Sequence, residues 1–568
     1  MANTANITQN LIRAYYETPD KLAVTLLFNG APEIQLTYQQ LIQRSYDYAK
    51  CLSEIGVRTG EVVILILQHS PDLLAAFLGT ILHGAVPSIM PFLTEKLLPE
   101  YYRQSLKSLF EISSPSTVIT YPQFLSEVKA ATGNATSVRQ IIDCTLVKPS
   151  PQLITAQLPG KFSKPGDIAL LQHSSGTTGL QKGVALSHQA IFNQLSNYSS
   201  ALRLDHTDVI VSWLPLYHDM GLIAGFLLPI LSQLHLVLLS PFDWVRAPYR
   251  LLQAISNYKG TLCWLPNFAY NFCAQKIRDR DIEQVNLESL RAIINCSEPM
   301  HPESHQQFLQ RFQPYGLKSE TLATCYAMAE NVFAVTQGGI DHPITVDHID
   351  SFIFSGQQIA HPVKTEIDSQ SNRVQKILSA GKPISNTLIR ILDANGNILP
   401  ERHVGEISLN SNCMLDSYFN RPDLTKQAFL NGWYLTGDLG YLADGELFVT
   451  GRKKDLIIIG GKNIYPQDLE RLVNDVDGVH PGRVVAVGIF DETSGTEEAV
   501  IIAEVNHYIK LTREECENIM NLIRQKVTQG SDITLRRVYL VSSNWLMKTS
   551  SGKIARSANR QKYLQEIN

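Results

Sequence analysis

Short apolar runs alternate with helical stretches along most of this chain, and that alternation restricts the fold more than any other feature. The segment around Thr37–Ile55 places Leu41, Tyr48, Ala49 and Leu52 at helical spacing and stops at Gly56. Glu61–Leu67, EVVILIL, then reads as a fully buried strand, and Pro71–His83 as another helix. Similar apolar runs recur at Asp167–Gln172, Val209–Leu214, Thr261–Leu265 and Ala292–Cys296, each near a helical stretch. The predicted class is α/β, with layered sheets of parallel strands. At 568 residues the chain exceeds a single core, since cores stop growing near ~250–300 residues. Several packed lobes and at least one separable domain are expected.

The boundary falls near Gly451. Gly445–Thr450 reads as a strand, and GRKKD and IIIGGKNIYP after it are rich in glycine and charge. From Arg483 the pattern is strand, strand, helix (Arg513–Val527), strand (RRVYLV) and a glycine-containing tail. The expected division is a large N-terminal body, 1–450, with a β-rich lobe at 380–450, and a C-terminal α+β domain, 451–568.

Charge and composition exclude several partners. A formal net charge of −4 gives no basic footprint for nucleic acid. Eight scattered cysteines without a CxxC pair fit reduced, mostly buried thiols of a cytoplasmic protein. The opening MANTANITQNLIRAYYETPDK lacks the basic and apolar regions of a signal peptide. Gly221–Ser240 is nearly long enough to span a bilayer, but Pro229, Gln233 and His235 interrupt it. A buried helix followed by a buried strand is expected there, and no membrane span.

The residues that carry chemistry begin with Leu171–Gly183, LQHSSGTTGLQKG, directly after an apolar strand. Ser174, Ser175, Gly176, Thr177, Thr178 and Gly179 are small enough to turn sharply and aim N–H groups and hydroxyls inward. Such a nest binds polyphosphate oxygens, and Lys182 adds a point charge. The GxxxxGK[ST] spacing of a Walker loop is missing. Taken alone, the run also fits an ordinary surface loop.

The loop resembles the phosphate loop of the adenylate-forming superfamily, and four further landmarks of that superfamily follow in order. In Tyr326–Glu330, YAMAE, the resemblance implies that Tyr326 stacks on adenine, with Ala327 and Met328 beside it. Glu330 would hold the Mg²⁺ that bridges the phosphates of ATP. Asp438 in YLTGD would accept from the ribose hydroxyls, Arg452 in GRKKD would lie near the ribose, and Lys454 would mark the hinge. Lys553 in KTSSGK would be the catalytic lysine. Singly these would be a helix cap, a turn aspartate and a solvated lysine; their order and spacing favour function. The implied fold is a multi-lobed α/β body with a small mobile C-terminal α+β domain acting as a lid.

Three stretches resemble the fatty acyl-AMP ligases: Trp213–Gly221, WLPLYHDMG; Leu265–Tyr270, LPNFAY; and Asn295–Met300, NCSEPM. The resemblance implies that His218, counted with the catalytic residues, and Asp219 sit beside the carboxylate pocket. Ser297, Glu298 and Pro299 would lie along the adenine, and Trp213, Asp219, Asn267 and Phe268 would line the acyl pocket. About fifty residues separate Glu330 from Gly381–Lys382–Pro383, where this branch carries an insertion that disfavours coenzyme A. Between Gly338 and Ala380, short strands are expected to pack through Ile349, Phe352, Phe354, Val363 and Ile367. A polar face would be left for the C-terminal domain.

The implied activity joins an organic acid, expected to be fatty, to AMP at the expense of ATP, releasing pyrophosphate. The acyl group would pass to the phosphopantetheine thiol of a separate acyl carrier protein in polyketide, nonribosomal peptide or lipid biosynthesis. An acyl-CoA synthetase is the nearest alternative, and a non-catalytic nucleotide-binding relative is the alternative of another class.

Overall fold

The computed structural model describes the chain apart from residues 1–5, 93–98, 134–136, 175–181, 364–373, 460–461, 492–495, 507, 509–510, 532, 534, 550–551 and 568. Two largely parallel sheets organise the first half. One holds seven strands in the order β13-β12-β11-β9-β10-β1-β2. These are β1 (Leu22–Leu27), β2 (Ile34–Thr37), β9 (Val209–Ser212), β10 (His235–Leu239), β11 (Leu262–Leu265), β12 (Ala292–Cys296) and β13 (Leu322–Cys325). The other runs β4-β3-β5-β6, from β3 (Val62–Ile66), β4 (Val86–Ile89), β5 (Thr117–Thr120) and β6 (Gln140–Asp143). Every residue of β3 is buried, as its uninterrupted apolar run requires. The helix Pro71–His83 has the expected bounds, with Ser70 accepting from Leu73 N–H at its start and Gly84 left-handed at its end.

Two expectations are corrected. The strand read at Asp167–Gln172 is β7 (Ile168–Ser174), and it pairs antiparallel with β8 (Lys182–Ser187). The chain returns directly through the phosphate-loop segment; a parallel partner would need a crossover of a dozen or more residues. The segment after Gly338 is not a set of short strands alone. Val346–Asp350 pairs antiparallel with Val374–Leu378, and a helix, Ser351–Gln357, lies between them. Ile349 and Phe354 are buried and Val363 is half-buried, but Phe352 is 55% exposed. Phe352 and Phe354 are two apart, which on a helix puts them on different faces. Ile367 lies outside the described residues.

Gly221–Ser240 forms a buried π-helical turn (Met220–Leu227), a short helix (Leu228–Leu231) and β10. Gly221 permits the close approach, because a Cβ there would overlap the Pro215 carbonyl. No described helix is long and apolar enough to cross a membrane.

From residue 380 onward the chain builds a five-stranded sheet, its members including Thr387–Leu392, Gly405–Ser411, Trp433–Ala443 and Glu446–Arg452. The last of these outruns its predicted end and reaches Arg452, where it pairs with Asp438. Beyond it, Val479–Asp491, Thr496–Val505 and Arg537–Val541 form a sheet with its own core. Alternate residues serve opposite faces. Val484 and Ala486 join the cluster containing Ile523 and Val527, whereas Val485 and Val487 join the cluster containing Tyr563. Helices thus cover both faces of an α+β unit.

Gly381 links the lobes. Its carbonyl accepts from Leu447 N–H at 2.9 Å, its φ is +92°, and a Cβ there would overlap the Gln337 backbone. Gly381→Ala should destabilise by about 3 kcal/mol, from left-handed strain plus overpacking; chemical denaturation would measure it.

Candidate active site

The carboxyl ends of β13, β12, β11, β9 and β10 form one edge, because these neighbouring strands are parallel. Ligands of open α/β sheets bind along such an edge. Tyr326 follows β13, Ser297–Pro299 follow β12, Asn267 and Phe268 follow β11, and Trp213 follows β9.

At the β13 end, the Tyr326 hydroxyl donates to Asp438 Oδ2 at 2.7 Å, and Arg452 Nε lies 3.2 Å from Asp438 Oδ1. The antiparallel register puts Asp438 directly opposite Arg452. Burial, then Asp438, pushes the Tyr326 phenol up, so it remains a donor. Asp438 holds the Arg452 guanidinium up against burial. Burial, then Arg452, lowers the Lys454 ammonium in the 3₁₀ turn Lys453–Asp455.

Glu330 stands on a 3₁₀ turn, Ala329–Asn331, closed by Val332 at φ +62°. A β-branched residue with positive φ is strained by about 1–3 kcal/mol, of the kind that gathers at functional sites. Glu330 Oε1 accepts from Tyr418 at 2.8 Å, and the Tyr418 and Tyr434 hydroxyls meet at 2.9 Å. Lys182 Nζ sits 4.6 Å from the centre of the Tyr418 ring. Tyr418 therefore joins the end of the phosphate-loop segment to Glu330. Sequence reasoning missed it, since it lies in no motif and reaches the site by pairing opposite Val184. Ser175, Gly176, Thr177, Thr178 and Gly179 lie outside the described residues, as does the Ser174 side chain.

Lys553 arrives from the C-terminal unit. Lys548 and Ile554 bridge antiparallel, Thr549 N–H donates to Lys553 O at 2.7 Å, and Gly552 is left-handed at φ +86°. Buried Asn559 holds this hairpin by accepting from Met547 N–H at 2.7 Å. Lys553 Nζ then donates to the Ser297 carbonyl at 2.5 Å. Ser297 has φ +72°, a second strained position.

His218 and Asp219 feel the Lys553 charge. Burial, reinforced by Lys553, lowers the His218 imidazole to about 3, so it is neutral at pH 7. Burial raises the Asp219 carboxyl against the opposing pull of Lys553. Asp219 also accepts from Met220 N–H at 2.8 Å.

The residues after β11 have other engagements. Asn267 donates to Ser304 at 3.1 Å and accepts from Asn295 at 3.0 Å and from His301 N–H at 3.2 Å. It thus brackets the 297–301 turn. Phe268 N–H donates to Glu298 Oε2 at 3.0 Å. Trp213 is buried and stacked on Trp244, with ring centroids 3.6 Å apart.

These features are an adenylate-forming arrangement, and the model of the AMP-binding enzymes matches residues 11–419. The chain belongs to the AMP-binding enzyme family and is an ATP-dependent, AMP-forming acid ligase. It is 30% identical over 97% of its length to the medium-chain-fatty-acid–[acyl-carrier-protein] ligase JamA of Moorena producens (strain JHB), covering 94% of that protein. A solved structure from the fatty acyl-adenylate ligases of E. coli and L. pneumophila shares 27% identity with a TM-score of 0.88, covering 100% of this chain and 98% of that one. The L. pneumophila fatty acyl-adenylate ligase in complex with acyl adenylate and pyrophosphate shares 28% identity with a TM-score of 0.75, covering 99% and 96%.

Tyr418→Phe keeps a ring beneath Lys182 but removes the hydroxyl held by Glu330. Acid-dependent exchange of pyrophosphate with ATP should fall about tenfold, while thermal unfolding stays near the parent's.

Proposed function

We propose that this chain converts a fatty or related carboxylic acid to its acyl-AMP and passes the acyl group to the phosphopantetheine thiol of a separate acyl carrier protein. The observation that carries the first half is the Lys553–Ser297 contact, which brings a cation beside His218 and Asp219 at the strand-end edge. In the first step a carboxylate oxygen of the acid forms a bond to the α-phosphorus of ATP, and the bond from that phosphorus to the bridging oxygen breaks. Pyrophosphate leaves with both electrons. Lys553 offsets the repulsion between the two anions as the transition state forms. His218, being neutral, serves as a hydrogen-bonding group beside the attacking carboxylate.

Ser174 to Gly179 and Lys182 are assigned to the phosphates, and Ser297, Glu298, Pro299, Tyr326, Ala327 and Met328 to adenine. Asp438 and Arg452 are assigned to the ribose. Among the described residues no group of three His, Cys, Asp or Glu forms a metal cage. A single carboxylate at Glu330 suits Mg²⁺, which takes one or two protein carboxylates and completes its shell with substrate phosphates and water. Glu330 would hold it there, and when bound it neutralises charge on the departing pyrophosphate.

Residues 451–568 are read as a lid hinged at Lys454, over a body of residues 1–450 whose 380–450 lobe carries Asp438. Phe354 of the insertion stacks on Tyr465 with centroids 5.9 Å apart, and the Tyr465 hydroxyl donates to Gln358 at 2.8 Å. The face offered to the lid is thus partly aromatic. These contacts favour the pose with Lys553 in the site. A bias of ~1.4 kcal/mol lowers the thiol-accepting pose tenfold. A carrier protein can offset that through its own contacts with the lid, whereas free coenzyme A cannot. The carrier named for the JamA relative agrees with this acceptor. Residence in the cytoplasm, where acyl carrier proteins and ATP meet, completes the proposal.

Lys553→Ala should abolish acyl-AMP formation, with thioester formation from pre-made acyl-AMP much less affected. Equal losses in the two half-reactions would refute the assigned role. Phe354→Ala combined with Gln358→Ala should raise acyl-CoA formation several-fold while acyl-AMP formation persists. A variant that adenylates normally and still rejects coenzyme A would rule out the restraint.

A further inference from the structure

Two buried indoles, Trp213 and Trp244, have N–H groups with no acceptor among the described residues. Fully buried Trp264, by contrast, donates to the Tyr198 hydroxyl at 2.9 Å. The two unpaired rings lie 12° from parallel with centroids 3.6 Å apart. Phe268 stands edge-on to both, at 6.3 and 6.2 Å, and Phe272 lies 5.4 Å from Trp244. An unpaired donor buried in an aromatic cluster is costly, and the rings around it give a water few of the partners it needs.

The pair lies at the strand-end edge. Along the strand-end edge, β12 carries the turn that touches Lys553, β11 leads to Phe268, β9 to Trp213, and β10 to the helix Pro241–Arg246 bearing Trp244. Neighbouring strands lie ~4.8 Å apart, so the three steps from β12 to β10 cover about 14 Å. Phe268 N–H on Glu298 ties the aromatic group to the adenine-side turn. An acyl chain of medium length, extended along this edge from the Lys553 contact, would span that distance.

We propose that the Trp213–Trp244 stack closes the acyl pocket and that its indole N–H groups read a neutral oxygen, a hydroxyl or carbonyl, near the distal end of a medium-length acid. The proposal rests on the acid-activating function above and specifies its substrate class. A terminal carboxylate is disfavoured, because the indoles supply donors but no compensating charge. A plain acid leaves the donors unpaired, and a site built to bond an oxygen rejects the analogue that lacks it.

The test measures pyrophosphate–ATP exchange and tryptophan-fluorescence titration on the full chain, with plain acids from hexanoate to tetradecanoate, their ω-hydroxy counterparts and sebacate. At the best length the hydroxylated acid should exceed the plain one at least tenfold in kcat/KM, equivalent to about 1.4 kcal/mol. Sebacate should fail. Trp244→Phe and Trp213→Phe, which keep a ring and lose the N–H, should each shrink that ratio several-fold. Equal use of plain and hydroxylated acids by the parent enzyme would overturn the proposal whether or not the variants fold. So would a preference that survives both substitutions. If no acid supports exchange but hydroxylated acids still quench fluorescence preferentially, the adenylation function fails and the pocket stands. If none quenches preferentially, the pocket assignment fails.

Discussion

A carboxylate and a polyphosphate repel, and an enzyme that joins them must place positive charge between them without leaving that charge buried when they are absent. In the proposed reaction, the Lys553 hydrogen bond to the Ser297 carbonyl would answer this constraint. The ammonium sits on a hairpin of the C-terminal unit, and the backbone oxygen of Ser297, in the turn after β12, receives it. The hairpin is held by Asn559 rather than by the body itself. Lysine delivery and lysine acceptance are therefore built by separate parts of the chain and meet at one contact.

The receiving surface is correspondingly stiff. Asn267, Asn295, Ser304 and His305 bond one another under the 297–301 turn. Burial lowers the His305 imidazole to about 3, so the network stays uncharged at neutral pH. Strain at Ser297 and Val332 lies at the two turns that present the lysine acceptor and Glu330. Positive φ at non-glycine residues persists only where surroundings over-determine it, and here the flanking β12 and β13 are buried throughout.

The insertion illustrates how far composition can be read. Its isolated apolar residues signalled packing, and Ile349 and Phe354 do pack. Periodicity over so short a stretch cannot separate strand from helix, and Phe352, expected inward, lies outward. Nor could it show that Phe354 and Gln358 would meet Tyr465, more than a hundred residues later. That pairing joins the insertion to the C-terminal unit.

The α/β class, several of the buried strands and helices of the body, and the order of the motif residues are legible in the chain alone. Each of these depends on local periodicity, caps and glycine positions that the chain carries wherever it folds. Tertiary structure decided the rest. β7 pairs antiparallel because too few residues separate it from β8 for a crossover, and Asp438 met Arg452 through cross-strand register. Tyr418 joined Lys182 to Glu330 from outside any motif. Trp213 and Trp244, on separate elements, became one stacked pair whose N–H groups have no acceptor among the described residues. The contacts of Tyr418 with Lys182 and Glu330 depend on distances between segments remote in sequence, and no local pattern encodes those.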